Sequence, residues 1–332
     1  MMACKKNVYG RYAGLFLLAG CLLAGCASTQ KKIEKEEAYR KIGINAMEAK
    51  NYTAAIEAFD NALGQAGAVG ANEVDICYYK AAAQYAAGSL SDAIATYDTM
   101  LEYDNKDAEA YFLRGCIFLN MKESDKAQED FSNAVKYADD LEIYLAIYNS
   151  LNGAGYESEG RAYLEQALEE KPGRKAKNYT VRGRIYFLEG NHKESVENLV
   201  KAVEKGDTNA NLYLAQAYEA LGDPVQAEAC INAYIEVYPK SSVSYNQLGR
   251  RALEDGDYGE AIERFEEGLS LEEVTNEQEL RSNLIAAYEY SGEFERAEEL
   301  MQEYIKDYPG DEAAAREYRF LARNKNEETG TE

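Results

Sequence analysis

The sequence predicts an all-α, right-handed solenoid of about eight helical hairpins, finished by a C-terminal capping helix. Three observations carry this. Small residues recur at Ala55, Ala93, Ala127, Gly160, Ser195, Ala227, Ala261 and Ala297, spaced 38, 34, 33, 35, 32, 34 and 36 apart. Five of the eight anchors follow a turn marked by glycine and a polar or capping residue: Gly88-Ser89, Gly190-Asn191, Gly222-Asp223, Gly256-Asp257 and Gly292-Glu293. Three of the four prolines, Pro172, Pro239 and Pro309, fall just past the end of a second helix, where proline blocks continuation without harming the helix behind it. A period near 34 residues means hairpins that cannot bury their apolar faces alone and must stack.

Hydrophobic residues make up 46% of the 332-residue chain, enough for a long continuous core, and no break in composition divides it. Asp and Glu number 59 against 36 Lys and Arg, a formal charge of −23 that repels nucleic acid and anionic lipid headgroups, so no nucleic-acid partner is expected.

The first residues read as an address. Lys5, Lys6 and Arg11 precede a short apolar stretch, Ala13 to Leu23, too short to span a bilayer. It closes with Leu23-Ala24-Gly25-Cys26, which resembles the bacterial lipobox cleaved before a lipidated cysteine. Leu18-Ala19-Gly20-Cys21 also fits but leaves a shorter apolar core. The resemblance implies a cleaved leader over 1–25, a lipid anchor on Cys26 and a polar spacer over 26–35, hence an extracytoplasmic protein on the outer face of a bacterial membrane, or on an outer membrane where the host has one.

With the anchor at position 20 of each unit, position 8 holds Gly43, Gly115, Gly183 and Gly249, with Ala81, Ala215 and Ile285 in other units. Position 4 holds Tyr39, Tyr111, Tyr144, Tyr179 and Tyr245, and position 24 holds Phe59, Tyr97, Phe131, Leu164, Leu199, Ile231, Phe265 and Met301. Position 27 holds Ala62, Ala134, Ala167 and Ala202. This pattern resembles the tetratricopeptide repeat over residues 36–309. The fourth unit departs most, with Tyr148 at position 8 and Gly160 at 20, and a distorted hairpin is expected between about 141 and 170. A longer connection near Gly64–Asn72 accounts for the first interval. Residues 310–323, with Ala315, Tyr318, Leu321 and Ala322 at helical spacing, suit a cap, and 324–332 a disordered tail.

Nothing in the sequence asks for a cofactor, a metal or catalysis. The single histidine, His192, stands where aromatic residues pack in other units. Asp104-Asn105-Lys106-Asp107 lacks the glycine and the distal glutamate of a calcium loop and reads as an inter-repeat turn. Cys77, Cys116 and Cys230 share no repeat position, which argues for thiols; a bridge between Cys77 and Cys116, in neighbouring units, stays open.

The resemblance implies a binding face on the first helices, at positions 2, 5, 9 and 12. Tyr78, Tyr85, Phe112 and Leu119 make its middle aromatic and apolar, followed by Asn149 and Asn152, Arg184 and Phe187, Gln216, and Arg250. Rings beside amides suit an extended peptide or a partner helix. Some co-chaperone members of the family grip a terminal carboxylate with lysines and asparagines; here Arg40, Ile44, Tyr79, Glu109 and Leu113 occupy those places, so the clamp is missing. Two functions are expected: a scaffold for envelope proteins engaged in assembly, secretion or cell-wall complexes, or a non-catalytic binder of cell-wall glycan or peptide ligands in the same groove.

Overall fold

The computed structural model describes residues 23–66 and 70–319, with side chains from residue 30 onward. Among these residues the regular structure is entirely helical. The helices pair into eight hairpins that fall into two compact units, divided between Lys171 and Pro172.

The first unit contains α1 (Leu23–Glu48) with α2 (Tyr52–Leu63), α3 (Ala71–Ala86) with α4 (Leu90–Tyr103), α5 (Ala108–Asn120) with α6 (Ser124–Tyr137), and α7 (Glu142–Gly153) with α8 (Glu157–Glu169). Helix α1 runs back through the segment expected as a spacer. Its Gln, Lys and Glu residues are good helix formers with no glycine or proline among residues 26–35, so nothing stops the helix there. Of the expected leader, residues 1–22 lie outside the described residues, and Leu23–Gly25 with Cys26 form the first backbone turn of α1. The long connection after α2 is described at 64–66 and at Gly70, whose N–H is held by the Glu73 carboxylate at 2.8 Å.

The second unit contains α9 (Ala176–Leu188) with α10 (His192–Glu204), α11 (Ala210–Ala220) with α12 (Pro224–Val237), α13 (Ser242–Asp255) with α14 (Tyr258–Leu269), and α15 (Glu277–Ser291) with α16 (Phe294–Asp307). A final helix, α17, covers 312–319; its Ala314 and Tyr318 pack against the core of the last two hairpins, which is the capping role expected of residues 310–323. The remainder of that segment and the tail 324–332 lie outside the described residues.

Within a hairpin the two helices touch where the sequence is smallest. All eight anchors are buried, and position 8 supplies the matching gap. A Cβ added to Gly249 would stand 2.5 Å from the Phe265 ring, and one added to Gly183 would stand 2.5 Å from Leu199 Cγ. In these two hairpins glycine at position 8 makes room for the large residue at position 24.

The fourth hairpin corrects the expectation of distortion: α7 and α8 are regular and joined by a short turn. It exchanges the two sizes. Tyr148 fills the place usually left small, and Gly160 gives way to it: a Cβ at Gly160 would lie 3.2 Å from Tyr148 Cδ2 and 3.3 Å from its carbonyl oxygen.

Six hairpin turns place a glycine in the left-handed region, whereas Lys50 (φ 57) and Lys122 (φ 62) adopt that conformation in hairpins 1 and 3. A side chain there costs roughly 1 kcal/mol that glycine avoids. Lys122→Gly is accordingly expected to raise the unfolding free energy by about 0.5–1 kcal/mol, checked by chemical denaturation. An unchanged or lowered midpoint would show that the turn carries no such strain.

Candidate functional site

In the first unit the residues expected to bind lie on the first helices α3, α5 and α7. Helix α5 begins where the Asp107 carboxylate accepts from the backbone N–H groups of Glu109 and Ala110 at 3.1 and 3.0 Å. The same oxygen accepts from the Tyr78 hydroxyl of α3 at 2.7 Å. Tyr78 also meets the Tyr97 ring edge-on at 6.2 Å. Burial, then the charge of Asp107, pushes the Tyr78 hydroxyl well above the ordinary phenol range. Tyr78 is thus a tie between hairpins 2 and 3. Toward the far ends of the same helices, Asn120 donates to the Tyr85 hydroxyl at 3.0 Å, and Tyr85 packs against the shared core.

Two of the expected binding residues are packing groups. Phe112 is only 8% exposed and lies against the Phe131 ring at 6.1 Å. Leu119, 6% exposed, faces a small cavity with Ala127, Phe131, Leu151 and Tyr163 between hairpins 3 and 4. The apolar middle of the expected face is therefore largely consumed by packing, and the correction is physical: Phe112 is covered by Phe131 of its own hairpin's second helix, and Leu119 lies at the junction with the next hairpin. Asn149 and Asn152, one turn apart on α7, are exposed. Cys116 Sγ lies 3.5 Å from the Ser150 hydroxyl. Cys77 and Cys116 are part-exposed and Cys230 is buried, all as thiols.

In the second unit Gln216 and Arg250 are exposed. Arg184 lies 4.8 Å over the Tyr213 ring of the next hairpin, and Phe187 packs on His192 at 5.1 Å. His192 is thereby a packing group, its Nδ1 buried without a hydrogen-bond partner. A polar ladder that the groove reading passed over joins hairpins 7 and 8. Asn283 donates to Asn246 at 2.8 Å, Asn246 donates to Glu279 at 3.3 Å, and Ser242 and Thr275 share a bond at 3.1 Å. Because Asn246 is buried, this ladder satisfies amides inside the stack.

One charged position escaped the sequence reading. Position 2 of all four hairpins in the first unit is acidic: Glu37, Asp75, Glu109 and Glu142. Arg40 neutralises Asp75 from α1, its Nε at 2.8 Å. Glu109 has no such cation, and burial followed by the charge of Asp107 pushes its carboxyl up to about 7. Between the ordinary carboxyl value and that one, the folded chain holds a proton that the unfolded chain has lost. Stability therefore falls as pH rises from about 4.5 to about 7. Glu109→Gln is expected to shrink the drop in melting temperature between pH 4.5 and pH 7.5, measured by circular dichroism; an identical drop in the variant would place the proton elsewhere.

Among the described residues no group of three or more His, Cys, Asp or Glu is placed to hold a metal ion, and no helix is long and apolar enough to cross a membrane.

Stacked hairpins tied by side-chain bonds, with exposed amides along their first helices, define a helical repeat scaffold. Family models described as tetratricopeptide repeat match residues 46–115 and 252–317, 209–241, and 108–140 and 176–204. The chain belongs to the tetratricopeptide-repeat family. Over 98 residues, 29% of this chain, it is 33% identical to the Photosystem I assembly protein Ycf3 of Synechococcus sp. strain CC9605, and equally so to that of strain CC9311. The chain spans about half the length of these curated relatives, 54%. Among solved structures, the APC/C hetero-tetramer Cut9-Hcn1 superposes with a TM-score of 0.51 at 18% identity, covering 81% of this chain and 53% of the other. That likeness is one of fold.

Proposed function

We propose that the protein is a non-catalytic interaction scaffold, anchored by lipid at Cys26 on the outer face of a bacterial membrane, that holds envelope proteins during assembly, secretion or cell-wall work. The observation that carries the binding role is the exposed amide pair Asn149 and Asn152 on a first helix of a tetratricopeptide array, held rigid by the packed Leu151 between them. Amides in that setting hydrogen-bond the backbone of an extended partner segment, while Tyr78 and Tyr85 of α3 are already engaged in ties between hairpins. That engagement favours a protein partner over a glycan, because rings held in packing are not offered to sugar faces. The partial likeness to an assembly protein supports the same reading. The lipid anchor rests on the basic residues, apolar stretch and lipobox-like Leu23-Ala24-Gly25-Cys26.

The test has two arms. Cys26→Ala is expected to abolish labelling by a tagged fatty acid and to release the protein from membranes; retained labelling would overturn the anchor. Crosslinking in cells followed by capture of the wild type should enrich a few envelope proteins, and Asn149→Ala/Asn152→Ala should reduce that enrichment about tenfold, a loss of two hydrogen bonds. Undiminished enrichment would move the binding face elsewhere, and enrichment of wall glycan without protein would replace the scaffold by the ligand binder.

A further inference from the structure

The edge of the second unit formed by the α13–α14 and α15–α16 turns carries an aromatic platform that neither the groove nor the core uses. Tyr258 opens α14 and Phe294 opens α16, the same place in successive hairpins. Tyr290, near the end of α15, stacks on Tyr258 with centroids 5.8 Å apart and planes 17° from parallel. Tyr290 remains 67% exposed and Phe294 55% exposed. Isolated apolar side chains on a surface need no explanation, but three rings gathered at the turns of two adjoining hairpins form a patch.

Charge says what would cover it. Residues 252–263 and 282–295, which build these turns, contribute Glu254, Asp255, Asp257, Glu260, Glu263, Glu289, Glu293 and Glu295, and the arginines that flank them, Arg251, Arg264, Arg281 and Arg296, are each held by a carboxylate: Glu228, Glu260 with Glu267, Glu277 with Asp307, and Glu299. Asp257 is engaged in capping, Glu260 in an ion pair with Arg264, and Glu293 accepts from Ser291. Glu254, Asp255 and Glu295 are exposed and, among the described residues, make no ion pair. Ring faces attract cations, and carboxylates at the rim supply the charge-assisted hydrogen bonds that a guanidinium or ammonium needs. A second copy of this acidic chain would be repelled, as would an anionic membrane.

We propose that Tyr258, Tyr290 and Phe294, with Glu254, Asp255 and Glu295 on the same two turns, dock an Arg- or Lys-bearing peptide segment of a partner protein, on a surface separate from the first-helix face.

The experiment is anisotropy titration of a fluorescein-labelled (Arg-Gly)4 peptide against the soluble chain from residue 27 with its whole repeat array. Tyr290→Ala/Phe294→Ala keeps the net charge, and both side chains are exposed, so folding is preserved; melting curves check that it is. The double variant is expected to bind about fivefold to tenfold more weakly, in line with two lost cation–π contacts. Glu254→Gln/Asp255→Asn should weaken binding further in low salt than in high salt. Leu188→Ala/Leu221→Ala, exposed apolar residues at other turns of the same unit, should bind as wild type. Equal affinity of the aromatic variant and wild type would reduce the interaction to bulk acidity and overturn the proposal. So would sedimentation showing a dimer that the aromatic variant dissolves, or saturable binding of N-acetylglucosamine tetramer lost in that variant while peptide binding persists.

Discussion

Arg114→Met is expected to lower the unfolding free energy by about 3–5 kcal/mol, the range for removing one partner of a buried ion pair. Arg114 projects from α5 and grips Asp130 of α6 with two donors, Nε at 2.8 Å and Nη2 at 2.6 Å, while Nη1 reaches Asp98 of α4 at 2.5 Å. The two contacts are unequal. The Asp130 side chain is only 3% exposed, so losing the guanidinium strands a carboxylate away from water, whereas Asp98 is half exposed and would rehydrate. Hydrogen bonding to Asp130 is also the chief reason that the guanidinium is held above its ordinary range. Asp98→Asn should therefore cost less than about 1 kcal/mol. The double variant Arg114→Met/Asp130→Leu should recover most of the loss, because an apolar pair of similar volume needs no charge compensation. Urea unfolding of the four chains decides it: a single-variant loss below that of Asp98→Asn would mean that Asp130 finds another partner or water.

Gly249→Ala is expected to cost about 1–3 kcal/mol although it adds one methyl group and improves helix propensity. The added carbon would stand 2.5 Å from Cε1 of Phe265, a ring with no exposed surface, so relief requires a move of core side chains or a wider helix crossing. Hairpin 6 suggests the compensation: it places Ala215 at the same position and Ile231 opposite it, and both belong to one apolar cluster. Gly249→Ala/Phe265→Ile should regain part of the stability lost in the single variant, a coupling readable in a double-mutant cycle. Additive losses would show that the ring is not what glycine makes room for.

Much of the fold was legible because close helix crossings impose a residue size. A helix pair separated by one small side chain tolerates little else, and so Ala55, Ala93, Ala127, Ser195, Ala227, Ala261 and Ala297 mark the crossings in the sequence as they do in the structure. The expected face was legible only at its polar members. Asn149, Asn152, Gln216 and Arg250 are exposed, as their chemistry suggests. Phe112 and Leu119 are not, because exposure at those positions depends on what the second helix and the following hairpin lay against them. Glu109 was hidden for another reason: one glutamate among 59 acids reveals its raised carboxyl only when the layers around it are assembled. Tyr258 and Tyr290, 32 residues apart in sequence, become a stack only when the hairpins align.

The reversed sizes of Tyr148 and Gly160 bear on how such a chain can be rearranged. Where glycine at one helix meets a large ring on the next, as with Gly115 and Phe131 or Gly249 and Phe265, helices of different hairpins share a common fitting and could be traded as cassettes. Helix α7 breaks that interchangeability. Its tyrosine would collide with the alanine on any second helix built to the common plan, and α8 paired with an ordinary first helix would leave a void beside Gly160. The fourth hairpin can be duplicated or transplanted whole, but recombination through its turn at Gly155 with hairpins 1, 3 or 7, which share the glycine-and-phenylalanine fitting, should yield chains that do not pack.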